Sequence, residues 1–147
     1  MKVLFVTLTA LFSLFTTKSH ADDGNVSATV LRSFNSTFVN ASEVKWSTND
    51  KFYKADFSFN CQYVSAYFDA DGELIATTKN ITSLELPIKL QASLKKDYQN
   101  GWISDLFEYS DASGTSYFIT IENADTKIVL KSDGISAWNT FQKQCKS

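Results

Sequence analysis

Histidine is almost missing from this chain of 147 residues: the single one, His20, lies in an N-terminal segment laid out like a secretion leader. A chain that sheds this segment has no imidazole, which excludes Ser/His/Asp and Cys/His nucleophilic catalysis and every histidine-based metal site. The two cysteines, Cys61 and Cys145, cannot form a four-ligand zinc site on their own. The five glycines fall in no GxGxxG or GxxxxGK cluster, so phosphate-cradling loops are excluded as well. No catalytic motif, metal site or cofactor site is expected.

The leader covers 1–21, with Lys2 at its start, an apolar run from Val3 to Phe15 and a small-residue exit at Ser19-His20-Ala21. The run is shorter than the roughly 20 residues a bilayer span needs, so cleavage after Ala21 is expected rather than anchoring. The expected leader has no cysteine, so a lipoprotein is not expected. The expected location is periplasmic or secreted, with no membrane span after cleavage.

The remaining chain, 22–147, has 12 basic and 16 acidic residues, interspersed along its length. Nucleic acid is not an expected partner, because binding it needs a clustered basic face. No linker or low-complexity tract divides the chain, so one domain is expected. Cys61 and Cys145 would sit in an oxidising compartment. A bridge between them would contribute on the order of 4 kcal/mol in the chain-entropy model, and two unpaired thiols remain the alternative, since spacing does not show pairing geometry.

What is abundant is repetition. Phe38, Phe57 and Phe59 recur sixty residues later as Tyr98, Tyr117 and Ile119, and Tyr67, Phe68 and Asp71-Gly72 recur at an offset of 62 as Val129, Leu130 and Asp133-Gly134. The half-repeats run from about 26 to 80 and 87 to 141. Each opens with an apolar stripe at four-residue spacing: Val30, Phe34 and Phe38 over Val26 to Phe38, then Leu90, Leu94 and Tyr98 over Pro87 to Tyr98. These predict amphipathic helices, the second with proline in its first turn. The period then drops to two, which predicts strands at Val44 to Ser47, Tyr53 to Phe59, Tyr63 to Phe68 and Leu74 to Thr78. The second half repeats them at Ile103 to Tyr109, Tyr117 to Ile121, Lys127 to Leu130 and Ile135 to Trp138. Asp71-Gly72 and Asp133-Gly134 read as hairpin turns. The fold class is α+β: two tandem units of a helix plus an antiparallel meander, forming one sheet with two helices on one face.

In Val64 to Phe68 the core takes Val64, Ala66 and Phe68, which leaves Tyr63 and Tyr67 on the helix-free face; Phe118 and Val129 fall out of phase in the same way. Tyr63, Tyr67, Phe118 and Val129 are therefore the candidate binding residues, exposed on an open sheet. The alternative is that a sheet face simply carries good strand formers. Asp69, Asp71 and Glu73 alternate like calcium ligands or paired acids, but the calcium-loop pattern is incomplete and a tight turn explains Asp71-Gly72. Four Asn-x-Ser/Thr triplets, at Asn25, Asn35, Asn40 and Asn80, read as coincidence.

The order of Val44-Lys45-Trp46, Tyr53 to Phe57, Ala66 to Leu74, Leu86-Pro87 and Ser132-Asp133-Gly134 resembles the PepSY-like family of secreted bacterial proteins, which is similar in fold to the β-lactamase inhibitor protein. The resemblance covers nearly all of 22–147. It implies a periplasmic or secreted protein of a Bacteroidetes-type bacterium, no established activity, and no contact residues that carry over. The expected function is a non-enzymatic module binding an envelope or secreted protein or peptide, with inhibitor-like binding as one form of it. The alternatives are a carrier of a small apolar ligand and a carboxylate-dependent hydrolase.

Overall fold

The computed structural model describes residues 25–146, so the expected leader and its cleavage point lie outside the described residues. The first helix, α1 (Ala28–Thr37), starts where the Ser27 hydroxyl accepts the Val30 amide at 3.3 Å, and it buries Val30 and Phe34 one turn apart. Past its end Asn40 takes a left-handed φ of 72° that redirects the chain into the sheet. Four strands follow: β1 (Ser42–Thr48), β2 (Tyr53–Phe59), β3 (Gln62–Phe68) and β4 (Leu74–Asn80). A short 3-10 turn at Ser83–Glu85 and Pro87 then lead into α2 (Ile88–Asp97), which buries Leu90. The second set is β5 (Trp102–Asp111), β6 (Gly114–Glu122), β7 (Thr126–Ser132) and β8 (Asn139–Cys145).

All eight strands form one antiparallel sheet in chain order, so each pairs only with its sequence neighbours. The turns explain why. Asn49, Asp69, Asn123 and Asp133 each accept two following backbone amides on Oδ1, at 2.7 to 3.0 Å, and Asp111 accepts one from Ser113. Such side chains mimic a backbone turn and fix its reversal. The β2–β3 turn is different: Asn60 and Cys61 both have positive φ, which suits a two-residue hairpin. Gly72 and Gly134 occupy equivalent places with φ of +82° and +84°. A Cβ on Gly72 would meet Thr29 of α1 at 3.1 Å, and one on Gly134 would meet the Tyr117 ring at 2.9 Å. Each glycine lets its loop tuck in beside the start of its own helix.

The register assigns the two faces. Ala66 pairs with Thr77, Thr77 with Ser110 and Ser110 with Thr115, so β3 residues 64, 66 and 68 share a face with Leu106, Ile119 and Ile121. Both helices cover that face. Under α1 lie Trp46, Ala55, Phe57, Val64, Ala66 and Phe68; under α2 lie Leu106, Ile119, Ile121 and Leu130. A polar strip on β4 and β5, including the Lys79–Glu108 ion pair at 3.8 Å, separates the two cores. Fully burying a large apolar side chain contributes about 1.5–3 kcal/mol, so Phe57, Phe68, Ile119 and Leu130, all fully buried, anchor the helix side.

The final strand departs from its expected place. Ile135 to Trp138 is a loop, and β8 begins at Asn139. Asp133 accepts the amides of Ile135 and Ser136, which removes them from any ladder, while Trp138 turns inward under α2.

Candidate functional site

The helix-free face carries its own aromatic cluster: Tyr67, Ala76, Phe107, Tyr109, Phe118 and Val129, with Phe52 and Phe141 packed against them. It joins both halves of the chain. Phe118 stacks on Phe107 with centroids 5.2 Å apart and meets Tyr109 and Phe141 edge-on at 6.3 and 5.5 Å. Tyr67 meets Phe52 edge-on at 5.4 Å. Edge-on and offset-stacked pairs each contribute roughly 0.5–1.5 kcal/mol beyond their area.

Tyr63, Tyr67, Phe118 and Val129 thus all lie on the expected face, but their exposure divides them. Tyr63 is 51 % exposed, whereas Tyr67, Phe118 and Val129 are only 6 %, 2 % and 2 % exposed. The expectation of exposure is corrected for these three. They are the floor of the face, because neighbouring strands present aromatics in the same phase and the rings close over one another. Lys131 Nζ also lies 5.4 Å over the Phe118 ring, and Lys54 Nζ 5.9 Å over Tyr67.

Two aromatics rise at the rim, Tyr63 on β3 and Trp102 at the start of β5, the latter 54 % exposed. Both strands run the same way in the sheet, so the two residues flank one end of the face. Trp102 is braced. Lys146 Nζ sits 4.8 Å over its ring while it ion-pairs with Glu122 at 2.8 Å and donates to the Asn123 carbonyl at 2.9 Å.

Polar groups on the face are held in pairs. Lys54 Nζ lies 2.9 Å from Asp56 Oδ1, which also accepts the hydroxyl of buried Ser65. Burial, aided by the Asp56 charge, pushes the Tyr67 hydroxyl well above the usual phenol range, although Thr78 hydrogen-bonds to it. Burial and the neighbouring Asp111 push Tyr109 up to about 12. Burial would also raise Asp111, but hydrogen bonds led by those from Ser113 outweigh it and hold the carboxyl low. Asp105, paired with Thr120 on the same face, is raised by burial against the opposing Leu106 amide and Lys127 charge. At neutral pH this surface offers protonated tyrosine hydroxyls and paired charges, a set suited to recognition.

Asp69 and Asp71 belong to the β3–β4 turn, where the Asp69 carboxylate accepts the amides of Asp71 and Glu73. Cys61 and Cys145, offered as a possible pair, are both free and exposed. Cys61 lies in the turn just before β3 and Cys145 ends β8, five strands away in the sheet. That is about 24 Å along the sheet at the usual spacing, far beyond the roughly 7 Å Cα limit for a bridge.

Sequence reading missed Trp102, Phe107, Tyr109 and Phe141 as members of the face. Leu106 and Phe107 are adjacent apolar residues that point to opposite sides, a pattern that signals a strand buried on both faces.

No protein-family model matches the chain, and no curated protein matches it. Solved structures do share its architecture. A BLIP-like protein from Bacteroides fragilis superposes with a TM-score of 0.69 at 18 % identity, over 85 % of this chain and 92 % of its own. A candidate periplasmic protein from Bacteroides eggerthii gives 0.73 at 15 % identity over 82 % and 88 %. A DUF2874 family protein from Bacteroides uniformis gives 0.72 at 17 % over 82 % and 89 %. The chain has a BLIP-like fold. Identity this low carries the architecture alone, so the chemistry of the BLIP-like sheet in this chain rests on its own residues. Among the described residues no helix is long and apolar enough to cross a membrane.

Proposed function

We propose that the chain is a secreted or periplasmic, non-enzymatic module of PepSY-like kind that recognises a protein or peptide through its helix-free face. The observation that carries this reading is the aromatic cluster on the side of the sheet opposite both helices, with Tyr63 and Trp102 standing exposed at its rim. Lys146 braces the Trp102 ring, and Tyr and Trp bury large area at little rotamer cost. The candidate periplasmic description of one structural neighbour supports the location. The BLIP-like description of another supports an inhibitor-like form of binding.

The test couples cross-linked affinity capture from the source organism's envelope and medium with a Tyr63→Ser/Trp102→Ser variant. A partner retained by the native protein and lost by the folded variant supports the reading. A partner retained equally by both moves the site off this face. Titration into a panel of class A β-lactamases tests the inhibitor-like form separately: unchanged turnover at saturating protein removes that form and leaves general recognition standing.

A further inference from the structure

A second surface differs between the halves. In the first half five rings pack between α1 and the sheet: Phe34 lies 5.2 Å from Trp46 and 5.0 Å from Phe57, and Phe38 lies 5.7 Å from Phe59, centroid to centroid. Three of the equivalent positions in the second half carry smaller side chains, Leu94 for Phe34, Leu106 for Trp46 and Ile119 for Phe59. Of these, Leu94 borders a cleft of about 240 Å³ beside α2, walled by Leu94, Tyr98, Ile103 and Ile121 with exposed Leu84 at its mouth. An apolar cavity of about 150 Å³ already accepts benzene, and at roughly 30 Å³ per atom the cleft holds about eight non-hydrogen atoms.

The lining has one charged side chain, Lys95, and no carboxylate. Lys95 forms no ion pair among the described residues. The two glutamines of the lining are already committed, Gln91 to the Leu84 and Leu86 carbonyls and Gln99 to the Lys95 carbonyl. Beyond these the cleft presents an apolar wall, one cation at its edge and the hydroxyl-bearing side chains of Ser83 and Tyr98.

We propose that this cleft binds a short amphiphilic carboxylate, with an alkyl chain of about eight carbons against Leu94, Ile103 and Ile121 and its carboxylate at Lys95. The site is independent of the helix-free face, since its walls belong to α2 and the helix side of β5 and β6.

Octanoate, octanol and octyltrimethylammonium serve as probes, titrated into the purified full chain by calorimetry and followed by methyl NMR of Leu84, Leu94, Ile103 and Ile121. Octanoate should bind saturably, shift those methyls and outcompete the ammonium probe. Lys95→Gln should weaken octanoate about fivefold, the upper range for an exposed ion pair, and leave octanol unchanged. Leu94→Phe, which restores the ring of the first half, should abolish binding of both; if that variant does not fold, Ile103→Trp at the mouth provides the same block. No saturable binding of any probe overturns the proposal. Binding that survives both blocking substitutions places the ligand elsewhere and overturns it too, and preference for the ammonium probe overturns the anionic head group.

Discussion

The indole nitrogen of Trp138 donates to the backbone carbonyl of Leu90 at 3.3 Å, a buried bond across 48 residues that ties the β7–β8 loop to α2. Trp138→Phe keeps most of the apolar volume but removes this second donor to a carbonyl that the helix ladder also uses, and should cost about 0.5–1.5 kcal/mol. Trp138→Ala should cost about 3–5 kcal/mol. Urea unfolding of the two variants checks the ratio; equal losses would show that packing alone matters there.

Tyr63 and Tyr67 sit four residues apart on one strand and should behave oppositely. Tyr63→Ser should change stability by less than about 0.5 kcal/mol, as for an ordinary surface site, because its ring is half exposed. Tyr67→Ser should cost about 2–4 kcal/mol, in the range of large-to-small core changes. Thermal and urea melts compare them directly.

Raised phenol groups make the alkaline limb of stability depend on this face. Tyr109 in the folded state is pushed up to about 12 against an unfolded value near 10. Its contribution is fully present below about pH 10 and is lost as pH rises through the folded value. Tyr109→Phe should therefore flatten the fall in stability between about pH 10 and 12, read from melts alongside tyrosinate absorbance.

The acid limb should depend on the other end of the sheet. Hydrogen bonds from Lys146 and Ser104, together with the Lys146 and Lys127 charges, hold the Glu122 carboxyl down to about 2. A depressed carboxyl contributes stability above its unfolded pKa, near 4.3, and loses it as pH falls through the folded value. Lys146→Gln should reduce the slope of stability against pH between about 4 and 2. It should also free the Trp102 ring, visible as a change in indole fluorescence.

Both thiols are free and exposed. Mass spectrometry of the unreduced native protein after alkylation should show two labels. A mass with none would mean that a bridge forms at the expense of the sheet geometry described here.

The helices and seven of the eight strands were legible because their apolar spacing changes cleanly from near four to two after each helix. β8 was not legible. Asn139 to Cys145 has little apolar alternation, since as an edge strand it pairs with β7 alone and is mostly exposed. Ile135 to Trp138 looked like a strand because Ile135 and Trp138 are good strand formers, yet the Asp133 carboxylate captures the amides a ladder would need. The phase of the candidate face was readable in Tyr63, Tyr67, Phe118 and Val129. Their depth was not, because the rings that close over them come from the β1–β2 turn, β5 and β8, and no single strand's pattern reveals its neighbours. The cleft beside α2 was hidden for a related reason: its walls, Leu94, Ile103 and Ile121, come from three different elements.

The two helix-side cores never merge, so what fastens the halves to each other is the β4–β5 ladder and the aromatic cluster that Tyr67 and Ala76 share with Phe107, Tyr109, Phe118 and Val129. The proposed recognition surface is thus also the seam of the molecule. A partner seated there acts as a clasp: it stabilises the whole chain by mass action and makes the halves resist being pulled apart. An occupant of the α2 cleft braces only the second half, leaving the seam as weak as before.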